Sequence, residues 1–261
     1  MSVDPGSSVN APPATSDVAH ADGHARRMKH RARESFEHWA HDYDRSLLQH
    51  YLFQPSYLVF MEQIARWRVS NPQPFALLDI GCGTGELASL LARSDWPAHA
   101  VGLDYAPNMC AKAAAKIQAA QLDDRAHFLA GDSEHLPFAP GSFDWVTCSN
   151  SFHHYPNQQS VVDEVYRILK PGGRFILIDG FRDNAIGWFV FDVLIARIEG
   201  NVHHAPWSQI DDYFRQSGFV DIHRRKFNVW MPLCATVGEK PAAPSGVVRS
   251  AHPPDGWTVG Q

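Results

Sequence analysis

The sequence predicts an α/β fold: a doubly wound, mostly parallel sheet of seven strands, preceded by N-terminal helices. Three observations predict it. The run Phe75-Ala76-Leu77-Leu78-Asp79-Ile80 is largely apolar and ends in glycines, as suits a buried parallel strand. From there to about residue 178, strand-like and helix-like segments alternate, which means βαβ units and a parallel sheet. Beyond Gly218 two strand-like segments follow each other with no helix between them.

The elements follow in order. Residues 24–48 have a helical pattern, with Phe36, Trp39, Ala40 and Tyr43 recurring at three- and four-residue steps. A second helix follows Pro55 and carries Tyr57, Leu58, Phe60, Met61, Ile64 and Trp67. After strand 75–80 come a helix over 86–93, a strand over 99–103, a helix over 107–120 and a strand over 126–129. A strand over 143–148, a helix over 159–169 and a strand over 174–178 complete the alternation. Segment 186–196 is apolar but too short to span a bilayer as a helix, so a core or dimer helix, or a cover over the site, accounts for it better than a membrane anchor. A helix over 207–216 stops at Gly218, and 219–227 with 229–237 read as an antiparallel edge hairpin.

Of 261 residues, 44% are hydrophobic and 20% charged, enough for a real core, but both ends are poor in core-forming side chains. Residues 1–23, rich in Ser, Pro, Ala, Gly and Asp, have no apolar h-region and read as a disordered leader rather than a signal peptide. Residues 240–261 read as a disordered tail, which leaves one domain over 24–239. A net charge of -5 provides no broad basic field to gather phosphates, and the basic stretch 24–31 is local. Nucleic acid is disfavoured as a general partner, with a tRNA or rRNA substrate left open. Cys82, Cys110, Cys148 and Cys234 show no CxxC spacing, so they read as free thiols in a reducing, cytoplasmic compartment. There is no transmembrane segment, peripheral membrane contact stays open, and no oligomeric state follows from the pattern.

The strongest chemical signal is Leu78-Asp79-Ile80-Gly81-Cys82-Gly83-Thr84-Gly85-Glu86, a buried strand running through a glycine turn into a helix. Gly81, Gly83 and Gly85 let the backbone turn sharply and let a ligand approach the main chain. A dinucleotide loop would read G-x-G-x-x-G and cradle a pyrophosphate. Here the spacing is G-x-G-x-G, and Asp79 just before the turn would repel a pyrophosphate but attract a cation such as the ammonium of methionine. The next strand ends in Asp104, roughly twenty residues on, the separation at which a carboxylate reaches ribose hydroxyls. The third leads into Gly131-Asp132-Ser133, where Asp132 could accept from an exocyclic amine. Three acidic strand ends outline one adenosine-bearing ligand.

These residues resemble the class I S-adenosylmethionine-dependent methyltransferases, within them the group similar to ubiquinone and menaquinone C-methyltransferases (methyltransferase type 11 domain). Four ordered motifs carry the resemblance: Phe36-Glu37-His38-Trp39-Ala40-His41-Asp42-Tyr43-Asp44, the glycine turn, Gly131-Asp132, and Glu164-Val165-Tyr166-Arg167-Ile168-Leu169-Lys170-Pro171-Gly172-Gly173. The resemblance implies S-adenosylmethionine as cofactor, with Asp79 and the turn Gly81, Gly83, Gly85 on its methionine part and Asp104 on the ribose. It implies Asp132 on the adenine, with Tyr105, Met109, Gly131 and Ser133 completing the pocket, and Asn150 near the methionine part or the transferred methyl. It also implies that the helix bearing Trp39 and Tyr43 lies over the cofactor. The loop Ser149-Asn150-Ser151-Phe152-His153-His154-Tyr155-Pro156 differs from that of quinone methyltransferases, so the resemblance does not carry the quinone over. A small-molecule acceptor, apolar or aromatic, is expected, with oxygen, nitrogen and carbon all open as the methylated atom.

Plainer readings stand beside these. Singly, Asp104 or Asp132 would be a helix cap or a solvated acid, and only their coincidence with the glycine turn reverses that. Cys82 reads as a packing residue, since no base is paired with it. His153-His154 and His203-His204 invite a metal, but neighbours on an extended loop point apart and no further ligand stands at a familiar spacing, so no metal is expected. Surface histidine is the plainer reading of both pairs. As candidate bases His153, His154, Tyr155, His203 and His204 stand in no order. A non-catalytic cofactor-binding scaffold is the rival from another class; the glycine spacing disfavours a nicotinamide-dependent oxidoreductase.

Overall fold

The computed structural model describes residues 53–180, 206–227 and 233–242. The expectations for 24–48 with Tyr43, for 186–196, for His203 and His204, and for both chain ends at 1–23 and 243–261 lie outside the described residues. Helix α1 spans Gln54–Arg68, β1 Phe75–Ile80, α2 Glu86–Arg93, β2 Ala98–Asp104, α3 Pro107–Ala119, β3 Ala126–Ala130 and β4 Phe143–Ser149. A 3-10 turn at Phe152–His154 leads to α4 Gln158–Ile168, β5 Leu169–Gly180, α5 Trp207–Ser217, β6 Val220–Phe227 and β7 Leu233–Glu239. Among the described residues, no helix is long and apolar enough to cross a membrane.

The sheet order is β3-β2-β1-β4-β5-β7-β6. The first five strands are parallel, and β7 runs antiparallel to both neighbours. Strand order reverses between β1 and β4, the switch point at which a doubly wound sheet opens a crevice beyond its carboxyl ends. Successive side chains of a strand face opposite ways, so the apolar run of β1 feeds two cores. Leu77 packs with Phe60, Ile64, Leu91, Trp145 and Ile176 on one face. Leu78 and Ile80 pack with Val146, Val165, Phe175 and Phe214 on the other.

Several boundaries shift from the sequence reading, the largest being the starts of β5 and β7. Strand β5 begins at Leu169, not 174, because Leu169 pairs with Phe143 across a register shift. The Gly172 N–H donates to the Lys240 carbonyl, and the Lys240 N–H to the Gly173 carbonyl, both at 2.8 Å. Lys240 is therefore part of the packed domain rather than the first residue of a tail. Its ammonium donates to the carbonyls of Tyr166 (2.7 Å) and Leu169 (2.8 Å) and lies 4.7 Å from the Tyr166 ring centroid, capping the C-terminal end of α4. As expected, the last two strands pair antiparallel as a hairpin at one edge of the sheet, with β7 between β5 and β6 and β6 outermost.

Candidate active site

The turn after β1 is left-handed at all three glycines, with φ of 66° at Gly81, 53° at Gly83 and 73° at Gly85. The Gly81 and Cys82 N–H groups donate to the Leu103 carbonyl at 2.8 and 3.1 Å, tying the turn to β2. Space is short as well as conformation. A Cβ on Gly81 would stand 2.3 Å from Ser151 Oγ and 2.8 Å from the Tyr155 hydroxyl. The turn is thus pressed against the loop after β4, and no side chain can stand between them.

Two strand-end carboxylates flank this turn. Asp79 is 4% exposed, accepts a 2.7 Å bond from the Thr147 hydroxyl, and forms no ion pair among the described residues. Burial pushes its acid from 3.8 up to about 7, and the nearby Asp104 charge adds to the rise against the Thr147 bond. Asp104 accepts from the Gly83 N–H at 2.8 Å through one oxygen and from the Ala106 N–H at 2.9 Å through the other. Burial raises this acid too, against those backbone bonds. Each carboxylate oxygen can accept more than one hydrogen bond, so Asp104 both holds the turn and keeps capacity for outside donors.

The loop after β3 is built to face the same way. Gly131 N–H donates to the Asp104 carbonyl at 2.9 Å, and Asp132 accepts the Glu134 N–H at 3.0 Å. Arg167 clamps this loop from α4: its guanidinium donates to the carbonyls of Phe138 (2.7 Å) and Leu136 (2.9 Å) and to Glu164, which accepts the Leu136 N–H at 2.8 Å. The Glu164 to Gly173 motif thereby gains a physical role, since Glu164 and Arg167 shape the loop that presents Asp132 and Ser133. Ser133 is buried. Met109 is buried against Ala106, and Tyr105 is 41% exposed.

The loop after β4 closes the crevice. Asn150 takes the left-handed conformation at φ 50°, an uncommon choice for a non-glycine residue, and its amide reaches Ser149 Oγ at 3.0 Å and Ser56 Oγ of α1 at 3.3 Å. Ser151 Oγ lies 3.2 Å from the Tyr155 hydroxyl and 3.3 Å from Cys148 Sγ. Burial pushes the Tyr155 phenol well above its ordinary range, so near neutral pH it donates rather than abstracts protons.

His153 and His154 do not stand on an extended loop pointing apart. The 3-10 turn brings their ring centroids to 4.1 Å. His153 is buried and doubly bound to Asp179 at the end of β5: its backbone N–H donates at 3.0 Å, and its Nδ1 lies 2.7 Å from the carboxylate. His154 is half-buried. Asp179 followed by Gly180 carries the same local signal as the three acidic strand ends and is a fourth. Thr147 had no such mark.

Comparison with known proteins bears on this crevice. The methyltransferase domain family matches residues 78–177. A demethylmenaquinone methyltransferase of Lactiplantibacillus plantarum is 30% identical over 173 residues, covering 58% of this chain and 73% of that protein. The ubiquinone/menaquinone biosynthesis C-methyltransferase UbiE of Desulfotalea psychrophila is 32% identical over 193 residues, covering 64% of this chain and 77% of that protein. Among solved structures, a Haemonchus contortus phosphoethanolamine N-methyltransferase bound to S-adenosyl-L-methionine shares the fold with a TM-score of 0.55 at 20% identity, over 69% of this chain and 52% of that one. Relatives matched at this identity over about three quarters of their length share more than a sheet order, and the chain belongs to the class I S-adenosylmethionine-dependent methyltransferases.

Proposed function

We propose that the chain transfers a methyl group to a small apolar or aromatic molecule, and that its cofactor lies across the ends of β1, β2 and β3. Asp79 carries this reading. A buried carboxylate raised to about 7, with a hydroxyl donor and no ion pair among the described residues, suits the ammonium of a methionine moiety. Gly81, Gly83 and Gly85 receive the rest of that moiety along the main chain. Asp104 takes the ribose hydroxyls. Gly131, Asp132 and Ser133 meet the adenine, flanked by Tyr105 and Met109, while Asn150 stands toward the methyl. Tyr43, His203 and His204 stay candidates on the sequence alone.

Bound S-adenosylmethionine supplies a sulfonium-activated methyl group, so the remaining work of the protein is alignment and the exclusion of water. The relatives' names favour a quinol-type ring as the first acceptor to try. The test pairs calorimetry with methyl-labelled cofactor, using a demethylated naphthohydroquinone and, in parallel, fractionated cell extract. Asp104→Ala should weaken cofactor binding at least about tenfold, because hydrogen bonds to a charged acceptor contribute about 1.5–3 kcal/mol each. Equal affinity in wild type and Asp104→Ala removes the ribose role. Tight binding with no label transferred to any component would instead mark a cofactor-binding scaffold.

A further inference from the structure

We infer that Thr147 is a positioning residue for cofactor binding: its hydroxyl donates to Asp79 when that carboxylate is charged, and turns to the Leu78 carbonyl when Asp79 holds a proton. The inference rests on the reading above that Asp79 meets the cofactor's ammonium. Thr147 of β4 stands directly opposite Asp79 of β1 in the parallel register, so the two side chains leave the sheet on the same face. The hydroxyl lies 2.7 Å from one Asp79 oxygen and 3.4 Å from the Leu78 carbonyl oxygen. Both residues are buried, Thr147 completely. A hydroxyl has one proton and two lone pairs, and the proton swings about the C–O bond. With Asp79 ionised, the nearer and charged acceptor takes it. With Asp79 protonated, the acid can donate to Thr147 Oγ1, and the hydroxyl proton passes to the Leu78 carbonyl, which has a second lone pair beside its sheet bond. Neither state leaves the hydroxyl or the acid proton unpaired.

Asp104, the other carboxylate of the crevice, has no such freedom. Its donors are the Gly83 and Ala106 N–H groups, which are fixed in the backbone and favour the charged form throughout. Asp79 instead titrates at about 7, chiefly because it is buried, so near neutral pH both of its forms are populated and a partner suited to both is needed. The titratable groups around it do not replace Thr147. Asp104 raises Asp79 by its charge, while Cys82, under the influence of Cys110 and burial, and Cys148, by burial, stay protonated thiols. On cofactor binding Asp79 gives its proton to solvent and the Thr147 O–H turns back to the carboxylate. Held through one oxygen, the carboxylate keeps the other for the ammonium.

Calorimetric titration of the full chain with S-adenosylhomocysteine, which carries the same ammonium, tests this between pH 5.5 and 9. The result is read as the ratio of wild-type to variant affinity, in which titration of the ligand's own amine cancels. Thr147→Val removes the donor and should move the Asp79 titration up by roughly one pH unit. The affinity deficit should then be about tenfold at pH 6 and fall below about twofold at pH 9. At pH 8 the variant should release about 0.4 proton more on binding than the wild type, measured in two buffers of different ionisation enthalpy. Thr147→Ser keeps the hydroxyl and should stay within about threefold of the wild type at every pH. Thr147→Ala removes the same donor and takes the place of Thr147→Val if that chain does not fold. No deficit, or one equal at all pH values, overturns the inference alone when Asp79→Asn has lost the pH slope. If Asp79→Asn binds as the wild type does at every pH, the placement of the ammonium on Asp79 fails and the inference with it.

Discussion

Gly81→Ala should abolish measurable cofactor binding and lower the unfolding free energy by about 3 kcal/mol or more. Two costs add. A left-handed φ of 66° costs a residue with a Cβ about 1–2 kcal/mol. The new methyl would also stand 2.3 Å from Ser151 Oγ and 2.7 Å from Ser151 Cβ, so the loop after β4 must back away. Overpacking of this kind costs about 1–3 kcal/mol. Gly141→Ala is the matched control: its φ is 71°, but nothing lies within 4 Å of the added carbon, so only the conformational cost applies. Urea unfolding of both variants separates the terms. If the two lose equal stability, Gly81 is needed for its backbone conformation alone and the contact with Ser151 is compliant.

The second large effect is a dependence on pH that runs opposite to that of an ordinary paired carboxylate. Asp79 titrates at about 7 in the folded chain against 3.8 for an unburied aspartate, because burial penalises its charge. Its folded pKa is raised, so between these values the native state holds more protons than the unfolded one, and stability falls as pH climbs from about 4 to about 7. About three pH units at ~1.4 kcal/mol each give a contribution of up to about 4 kcal/mol. Asp79→Asn should cancel it, so the variant gains on the wild type steadily through that window and the difference levels off above pH 7. A cationic ligand reverses the penalty: cofactor affinity should rise up to about tenfold per unit between pH 5 and 7, with proton release on binding, and Asp79→Asn should lose that slope. Unfolding midpoints of both proteins from pH 4 to 8 decide the matter, and parallel curves would remove Asp79 as the buried charge.

What the sequence disclosed was whatever is local in the chain. The glycine turn, Asp79 before it and Asp104 at the next strand end announce themselves because strand, turn and helix are contiguous, and each of these residues takes its place from immediate neighbours. Helix α2 was bounded correctly for the same reason, between Gly85 and Ser94. Relationships formed by folding were hidden. Thr147 donates to Asp79 across 68 positions, Asp179 holds His153 across 26, and Lys240 reaches back to Tyr166 across 74. The start of β5 was misjudged because Pro171-Gly172-Gly173 reads locally as a turn, whereas Phe143 and Lys240, supplied from elsewhere, draw it into the sheet. Alternation along an extended chain, the default for consecutive residues, predicts that the two histidines diverge. A single 3-10 turn, tied down by Asp179, replaces that default.

The placement of β7 between β5 and β6 carries a consequence for how the protein is made. Of the seven strands, β7 comes latest in the chain, yet six of its seven residues are buried. A chain synthesised from its N-terminus can assemble the parallel strands β1 to β5 first. Through that interval the outer edge of β5 offers a row of unpaired N–H and C=O groups, beside apolar residues such as Phe175, Ile176 and Leu177. Among the described residues no earlier strand pairs with that edge, and β6, which emerges before β7, is not its partner. The nascent protein is thus most exposed to strand exchange with other chains just before its last strand arrives, and insertion of β7 is the event that closes the sheet.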